Sequence, residues 1–260
     1  MKIQLTVSSF WMSTYKHDTV VPFKNSGLTK KQQVAEMFNH IAFRYDFLNR
    51  LLSGGVDVYW RKKAIRELLP VNPQQILDVA TGTADMPLMM IKYLHPQKIT
   101  AIDISEGMLD IGRKKISRLN LNNRVELQIG DSEAINFPGN MFDAITVAFG
   151  VRNFEYLEKG LEEMLRVLKP GGKLVILEFS KPKNNSFKKI CNFYFRFITP
   201  GIGKLVSKNK EAYEYLDKSV EAFPEGDDFI DILKKTGYIN TYRKPLTLGI
   251  STIYCGSKKL

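Results

Sequence analysis

Short apolar runs alternate with stretches of helical spacing through the middle of the chain. Such alternation predicts a parallel, doubly wound α/β sheet whose crossovers are right-handed. We predict five strands, at residues 75–80, 98–103, 124–129, 142–149 and 173–179. The helices between them are predicted at residues 85–94, 106–119 and 156–168.

Two helices are predicted before the first strand. Apolar residues recur at helical spacing from 29 to 52, and a second helix runs through Trp60. The glycines at 54 and 55 separate the two, and Asp57 is placed to cap the second. We expect this pair, residues 29–70, to form a lid over the ligand edge of the sheet.

The ends of the chain differ from its middle. Residues 1–28 have no clear period and no signal-peptide core, so we predict a flexible leader, with Met12 as an alternative start. A last helix at 226–236 precedes two strand-like runs, 239–244 and 251–255, which predict a closing antiparallel hairpin. Without a linker or a repeat, residues 29–260 are expected to form a single domain.

The chain is basic, with 38 Lys and Arg against 27 Asp and Glu and a net charge of +11. This balance suits nucleic acid, an anionic membrane or acidic metabolites. The charge concentrates in residues 181–210, which hold eight basic residues, no acidic ones and several aromatics. We treat 181–215 as an insertion: a helix packed on the core, a lipid-facing surface or a nucleic-acid contact.

The cysteine and histidine content and the hydropathy of the chain argue against metal-binding and membrane-spanning proteins. The two cysteines, Cys191 and Cys255, lie far apart, and three histidines are too few for a histidine-rich metal site. No apolar run approaches the roughly 18 residues that span a bilayer. We therefore expect a reduced cytoplasmic protein without a bound metal.

The turn after the first strand suggests which ligand is bound. A dinucleotide fingerprint requires three glycines, but residues 76–85 retain only Gly82. Asp103 ends the second strand, where an acid accepts hydrogen bonds from a ribose diol. Asp131, beside Ser132, ends the third strand and is placed to hold an adenine amino group. A nucleoside without phosphates fits this pattern, although a dehydrogenase-like fold with a degenerate fingerprint remains the alternative.

Together with Lys169–Gly172 and the terminal hairpin, this pattern resembles the class I S-adenosylmethionine-dependent methyltransferases. The resemblance implies a Rossmann-like, mostly parallel seven-stranded sheet with helices on both faces. It also implies S-adenosyl-L-methionine as the cofactor. Cofactor contacts carry over by resemblance to the residues of the three strand-end turns, namely Gly82, Thr83, Asp103, Asp131 and Ser132. Asp78 is expected to order the first turn through backbone hydrogen bonds.

Three further motifs resemble one family, the quinone C-methyltransferases of menaquinone and ubiquinone synthesis. They are Tyr45–Ser53, Phe149–Asn153, and Arg166–Gly172 continuing to Glu178. The similarity extends over about residues 31–258. The family usually has Met and His where this chain has Leu48 and Asp57, which weakens any mechanism that uses that histidine as a base.

The chemistry implied by this resemblance requires a ring hydroxyl to lose its proton beside the methyl donor. Arg152 and Asn153 follow the fourth strand, and Arg152 is predicted to hold the phenolate. Asp46, Tyr45 and Glu178 are candidates to accept the proton or align the ring. Each has a structural alternative: a surface salt bridge for Arg152, a packed helix residue for Tyr45 and backbone amide contacts for Glu178.

The predicted activity is methylation of demethylmenaquinol, with a polyprenyl benzoquinol as the alternative substrate. An RNA methyltransferase is the rival enzyme, but the Asn/Asp-Pro-Pro-aromatic loop typical of base N-methylation is replaced here by residues 149–153. A non-catalytic nucleoside sensor is the rival from another class. The predicted partners are a prenylated quinol, the inner membrane face through Lys181–Lys210 and a second copy of the chain, without nucleic acid.

Overall fold

The computed structural model describes residues 15–181 and 210–260. Within them lies a seven-stranded sheet of order β3-β2-β1-β4-β5-β7-β6. Strands β1 to β5 are parallel, while β7 runs antiparallel to both β5 and β6. This confirms the predicted parallel sheet with a closing hairpin. The strands are β1 Gln75–Val79, β2 Lys98–Asp103, β3 Val125–Ile129, β4 Phe142–Ala148, β5 Leu168–Phe179, β6 Ile239–Leu246 and β7 Ser251–Ser257.

Helices lie before, between and after these strands. The prediction placed most of them within a few residues, but it missed α6, which follows the basic segment. Their bounds are α1 Lys30–Ser53, α2 Val56–Arg66, α3 Asp85–Leu94, α4 Glu106–Arg118, α5 Leu157–Val167, α6 Lys210–Ala222 and α7 Asp227–Lys235.

Two apolar layers cover the two faces of the sheet. Successive residues of a strand point to opposite faces, so Ile145 joins one layer and Ala144 the other. Helices α5 and α7 complete the first layer, and α2 and α3 complete the second. Both faces are therefore buried, which explains the nearly continuous apolar runs of the central strands.

Asp57 does not cap α2, contrary to the prediction. The residue before α2 is Gly55, in a left-handed conformation, and no side chain caps the helix. The carboxylate of Asp57 instead accepts hydrogen bonds from Arg50 at 2.7 Å and Arg61 at 3.1 Å. Two arginines stabilise this buried carboxylate more than one backbone amide would.

Part of the predicted flexible leader is packed rather than loose. Lys16–Thr19 forms a 3-10 turn, and His17 is completely buried with its ring 5.6 Å from that of Phe223. Burial lowers the pKa of His17 to about 3 and keeps it neutral. Residues 16–19 are therefore packed against the core, and the aromatic contact of His17 supplies a burial that no sequence period indicated. The flexible leader over residues 1–28 stays a prediction.

Most of the predicted basic insertion lies outside the described residues, so the prediction for Lys181–Lys210 stays a prediction. Of the helices described, none combines the length and the apolar character that a membrane span requires.

Candidate active site

A cleft enclosing about 650 Å³ of empty space, part of it open to solvent, lies at the carboxyl ends of β1 to β4. The turns after these strands form its floor, and α1 lies along one side. This is where an open α/β sheet binds its ligand. Its lining includes Lys31, Phe38, Tyr45, Gly82, Asp103, Asp131, Ser132, Glu133, Gly150, Asn153 and Glu155.

Strained backbone marks the floor of the cleft. Ala80 and Phe149, which follow β1 and β4, both have positive φ angles. A Cβ atom on Gly150 would lie 2.6 Å from the Cβ of Ala80, so only glycine permits this approach. Left-handed non-glycine residues cost free energy and cluster at functional sites. The two central turns are thus held together at an energetic cost, directly beneath the cleft.

Asp103 ends β2 and joins two of the turns. Its Oδ2 accepts the Gly82 N–H at 2.7 Å, and its Oδ1 accepts the Ser105 N–H at 2.9 Å. Burial raises the pKa of Asp103, while the backbone donors oppose the shift. A carboxylate offers about four acceptor positions, more than its backbone donors occupy, so the group is still able to accept a hydrogen bond from a ligand.

Asp131 lies at the end of the neighbouring strand, as predicted, but it is paired with a lysine that the sequence analysis missed. Its Oδ2 accepts a hydrogen bond from Lys31 at 2.5 Å, and its Oδ1 accepts the Glu133 N–H at 2.9 Å. Lys31 also donates to Glu133 at 2.9 Å. Ser132 lines the cleft between these two acids.

Thr83 does not line the cleft. It is buried, and its hydroxyl donates to Asp46 of α1 at 2.5 Å. Lys115 pairs with Asp46 at 2.6 Å and with Asp85 at 2.8 Å. Burial raises the pKa of Asp85, but the charge and hydrogen bond of Lys115, together with the charges of Arg61 and Arg50, outweigh burial and lower the pKa. Thr83 and Asp46, predicted for different roles, are therefore bonded to each other in a charged network that joins α1 to the first turn.

Arg152 and Glu178 form a buried ion pair next to the cleft. Arg152 Nη1 donates to Glu178 Oε1 at 2.8 Å and to the Phe149 carbonyl at 2.5 Å. Arg152 is 5% exposed and Glu178 is fully buried, so the surface salt bridge considered for Arg152 is wrong. Glu178 also accepts the Phe179 N–H at 2.9 Å, which is the backbone contact considered as its alternative.

Tyr45 and Asn153 do line the cleft. The Tyr45 ring packs edge-on against Phe38, with centroids 5.8 Å apart. Asn153 Oδ1 accepts the hydroxyl proton of Tyr215, a residue of α6, at 3.0 Å. Burial raises the pKa of Tyr215 well above its usual value, so this hydroxyl remains a donor. The bond directs the amide oxygen of Asn153 toward α6 and leaves its NH₂ group for other contacts.

Asp78 is buried inside the sheet rather than in the turn. Its carboxylate accepts the hydroxyl proton of Thr146 on β4. The expected backbone contacts of Asp78 are thus replaced by a side-chain contact between strands, because the residue points to the face of the sheet that Thr146 shares.

Comparison with known proteins agrees with the sequence motifs. A model of the ubiE/COQ5 methyltransferase family matches residues 27–258. The chain belongs to this family. It is 44% identical over 244 residues to the demethylmenaquinone methyltransferase of Bacteroides fragilis, covering 94% of this chain and 99% of the relative. It is 46% identical over 235 residues to the ubiquinone/menaquinone biosynthesis C-methyltransferase UbiE of Geobacter sulfurreducens, covering 90% and 91%.

Solved structures agree on the fold. One is the phosphoethanolamine N-methyltransferase 2 of Haemonchus contortus in complex with S-adenosyl-L-methionine. It superposes with a TM-score of 0.53 at 16% identity, over 72% of this chain and 49% of that longer chain. Such a distant likeness supports the class I methyltransferase architecture and nothing finer.

Proposed function

We propose that the protein transfers a methyl group from S-adenosyl-L-methionine to a ring carbon of demethylmenaquinol, in menaquinone biosynthesis. Family membership and the name of the Bacteroides fragilis relative support this assignment. The structural support is one arrangement: Asp103 and Asp131 end adjacent strands in a cleft that also contains Tyr45 and Asn153.

The cleft suits a nucleoside. Asp103 offers acceptors for the ribose hydroxyls, and Asp131 offers one for the adenine amino group. Gly82 and Ser132 also line the cleft. When bound, S-adenosyl-L-methionine supplies an activated methyl group on a sulfonium. Thr83 supports the turn through Asp46 instead of touching the ligand.

We assign direct contact with the quinol ring to Tyr45 and Asn153, because both line the cleft. Asn153 presents its NH₂ group, which is suited to donate to a phenolate oxygen. Arg152 lies next to Asn153 in the chain and holds a positive charge that favours loss of the ring hydroxyl proton. Glu178 orients Arg152, and Asp46 is held by Thr83 and Lys115. Neither carboxylate lines the cleft, so neither is assigned as the base.

A benzoquinol of the ubiquinone pathway is the second candidate substrate. The name of the Geobacter sulfurreducens relative covers both quinone pathways, and it is 46% identical to this chain. Both rings present a carbon ortho to a hydroxyl, so the residues assigned above would act on either.

We propose further that the protein acts in the cytoplasm, at the inner face of the membrane, where a prenylated quinol resides. Phe43 is 89% exposed and Phe47 is 60% exposed, one helical turn apart on α1. Exposed aromatic pairs of this kind favour contact with lipid. The predicted homodimer stays a prediction.

The test is methyl transfer by the purified protein. Demethylmenaquinol with a short prenyl chain, reduced in the assay, is expected to gain one methyl group by mass spectrometry when S-adenosyl-L-methionine is present. A benzoquinol and tRNA are tested in parallel as the competing substrates. Methylation of tRNA with no product from either quinol would refute the proposal. A faster reaction with the benzoquinol would show that the benzoquinol, and not demethylmenaquinol, is the preferred substrate.

A further inference from the structure

Lys31 links the lid helix α1 to the acid assigned to adenine. Its ammonium group contacts Asp131 at 2.5 Å and Glu133 at 2.9 Å, although the chain separates Lys31 from them by about a hundred residues. Burial opposes the charge of Lys31, but the hydrogen bonds to both carboxylates outweigh it and raise its pKa. Lys31 thus remains charged and bridges two acids of one turn.

Glu133 is a fixed anchor for this bridge. Its side chain is 1% exposed, and its Oε1 accepts the backbone N–H groups of Glu155 at 2.8 Å and Tyr156 at 3.0 Å. With Oε1 fixed in this way, Oε2 holds Lys31. Lys31 in turn holds Oδ2 of Asp131, while the Glu133 N–H holds Oδ1. Both oxygens of Asp131 are therefore positioned before any ligand binds.

The same face of α1 contacts the other two cofactor turns. Asn39 Oδ1 accepts the hydroxyl proton of Ser105 at 2.7 Å and the Gly107 N–H at 2.9 Å, after β2. Asp46 accepts from Thr83, after β1. Lys31, Asn39 and Asp46 are eight and seven residues apart, so at about 100° per residue they lie within about 80° of each other.

Helix α1 approaches the second turn too closely to shift freely. A Cβ atom on Gly107 would lie 3.1 Å from Asn39 Oδ1 and 3.3 Å from its Cα. One rigid helix therefore contacts all three turns at once. Lys31 stands at its first turn and is the point where α1 reaches the acid assigned to adenine.

We propose that Lys31 is a positioning residue that fixes Asp131 for recognition of the adenine amino group, so that selection of the cofactor depends on docking of α1. Removing the ammonium group leaves two neighbouring carboxylates without their shared cation, and their repulsion moves Asp131 away from the amino group. This inference rests on the proposed cofactor, and the experiment separates the two.

The experiment compares two ligands by calorimetry: S-adenosylhomocysteine, and S-inosylhomocysteine, which lacks the adenine amino group. The full-length protein is expected to prefer the adenosyl ligand by at least about 10-fold, because a hydrogen-bonding site rejects a ligand that lacks its partner. Lys31→Met is expected to lose about 10-fold in adenosyl affinity and less than about 2-fold in inosyl affinity. Lys31→Arg should retain most of the discrimination.

The controls separate positioning from stability. Lys98→Met breaks an exposed ion pair with Glu126 and should leave both affinities unchanged. Melting temperatures are measured for every variant. Equal losses for both ligands, or tighter adenosyl binding in Lys31→Met, overturn the proposal. Equal affinity for both ligands in the unaltered protein overturns the role of Asp131, and failure to bind either ligand refutes the proposed function itself.

Discussion

Asp78 is a buried carboxyl group in the centre of the sheet. Burial raises its pKa to about 6 from an ordinary value of 3.8, and the hydroxyls of Thr146 and Thr81 and the charge of Arg61 offset only part of the shift. The folded state therefore binds a proton more tightly than the unfolded state does. It follows that this group makes the protein less stable as the pH rises.

We predict that the free energy of unfolding falls as the pH rises from about 4 to about 6. Over that window Asp78 should lower the free energy of unfolding by about 2–3 kcal/mol as the pH rises, and contribute no slope above it. Urea denaturation of the cofactor-free protein at several pH values measures this. In the Asp78→Asn variant, the part of this pH dependence that comes from Asp78 should be absent. An unchanged pH dependence in this variant would show that other groups determine it.

The ion pair between Arg152 and Glu178 allows the effects of a substitution on stability and on activity to be predicted separately. Arg152→Met should lower the free energy of unfolding by about 3–5 kcal/mol, because it leaves Glu178 buried without its cation. Adding Glu178→Gln should restore much of the stability, since both charges are then removed. Turnover should remain low in the single and the double variant, because the cation that we propose to favour the phenolate is absent from both.

The measurements are urea denaturation and quinol methylation, with S-adenosylhomocysteine binding as a check on the fold. Arg113→Met provides a matched control, because Arg113 pairs with Glu106 at 2.6 Å on an exposed surface and should contribute little. Full activity in the stable double variant would exclude Arg152 from the reaction.

At the scale of elements, two helices outside the alternating core support the cleft. Helix α1 packs along α4 and contacts the turns after β1, β2 and β3. Helix α6 contributes Tyr215, which packs against Val34 and Met37 of α1 and bonds to Asn153. The sheet therefore supplies the two acids that we propose for the cofactor, and the added helices determine how the remaining polar groups are oriented.

Tyr215→Phe should lower the turnover number about 10-fold while leaving affinity for S-adenosylhomocysteine unchanged. Without the hydroxyl, the Asn153 amide loses the partner that orients its NH₂ group. Steady-state quinol methylation and calorimetry measure the two quantities. Tyr238→Phe is the matched control, since it removes one buried hydroxyl that donates to the Leu161 carbonyl, outside the cleft. Equal activity losses in both variants would indicate a general loss of packing.

At the scale of the whole molecule, the net charge and the exposed aromatic residues both support the proposed membrane contact. The chain has a net charge of +11, and Phe43 and Phe47 are exposed on α1, the helix that also lines the cleft. A basic protein is attracted to anionic lipid, and exposed aromatic rings enter the interface. A prenylated substrate would thus reach the cleft from the bilayer surface.

Phe43→Ser combined with Phe47→Ser should weaken binding to vesicles of anionic and neutral phospholipid about 10-fold or more, because two large apolar groups no longer enter the interface. Vesicle sedimentation measures the binding. Leu119→Ser combined with Ile129→Ser alters two residues that are each 56% exposed elsewhere on the surface and should have little effect. Unchanged binding of the Phe variant would place the contact on another surface.

The sequence by itself determined the architecture and the positions of the two acids that we propose for the cofactor. Strand and helix periods are local, and they were sufficient to predict the parallel core and the closing hairpin. Asp103 and Asp131 could be predicted because parallel strands end at one edge of the sheet, so the chain positions of these acids place them in one cleft. The motifs from Tyr45 to Glu178 indicated the family through their residues alone, because a resemblance of this kind needs no knowledge of the fold. Phe149–Asn153 follows a strand, whereas Tyr45–Ser53 lies within α1.

Only the tertiary structure decided which charges are paired. Lys31 meets Asp131, Lys115 meets Asp46 and Arg152 meets Glu178 across long stretches of chain. The local periodicity of the sequence does not predict such pairs. They depend on how α1 crosses the edge of the sheet and on which groups are removed from water together. The sequence therefore predicted the acids of the site, and the fold determined which of them remain available to a ligand.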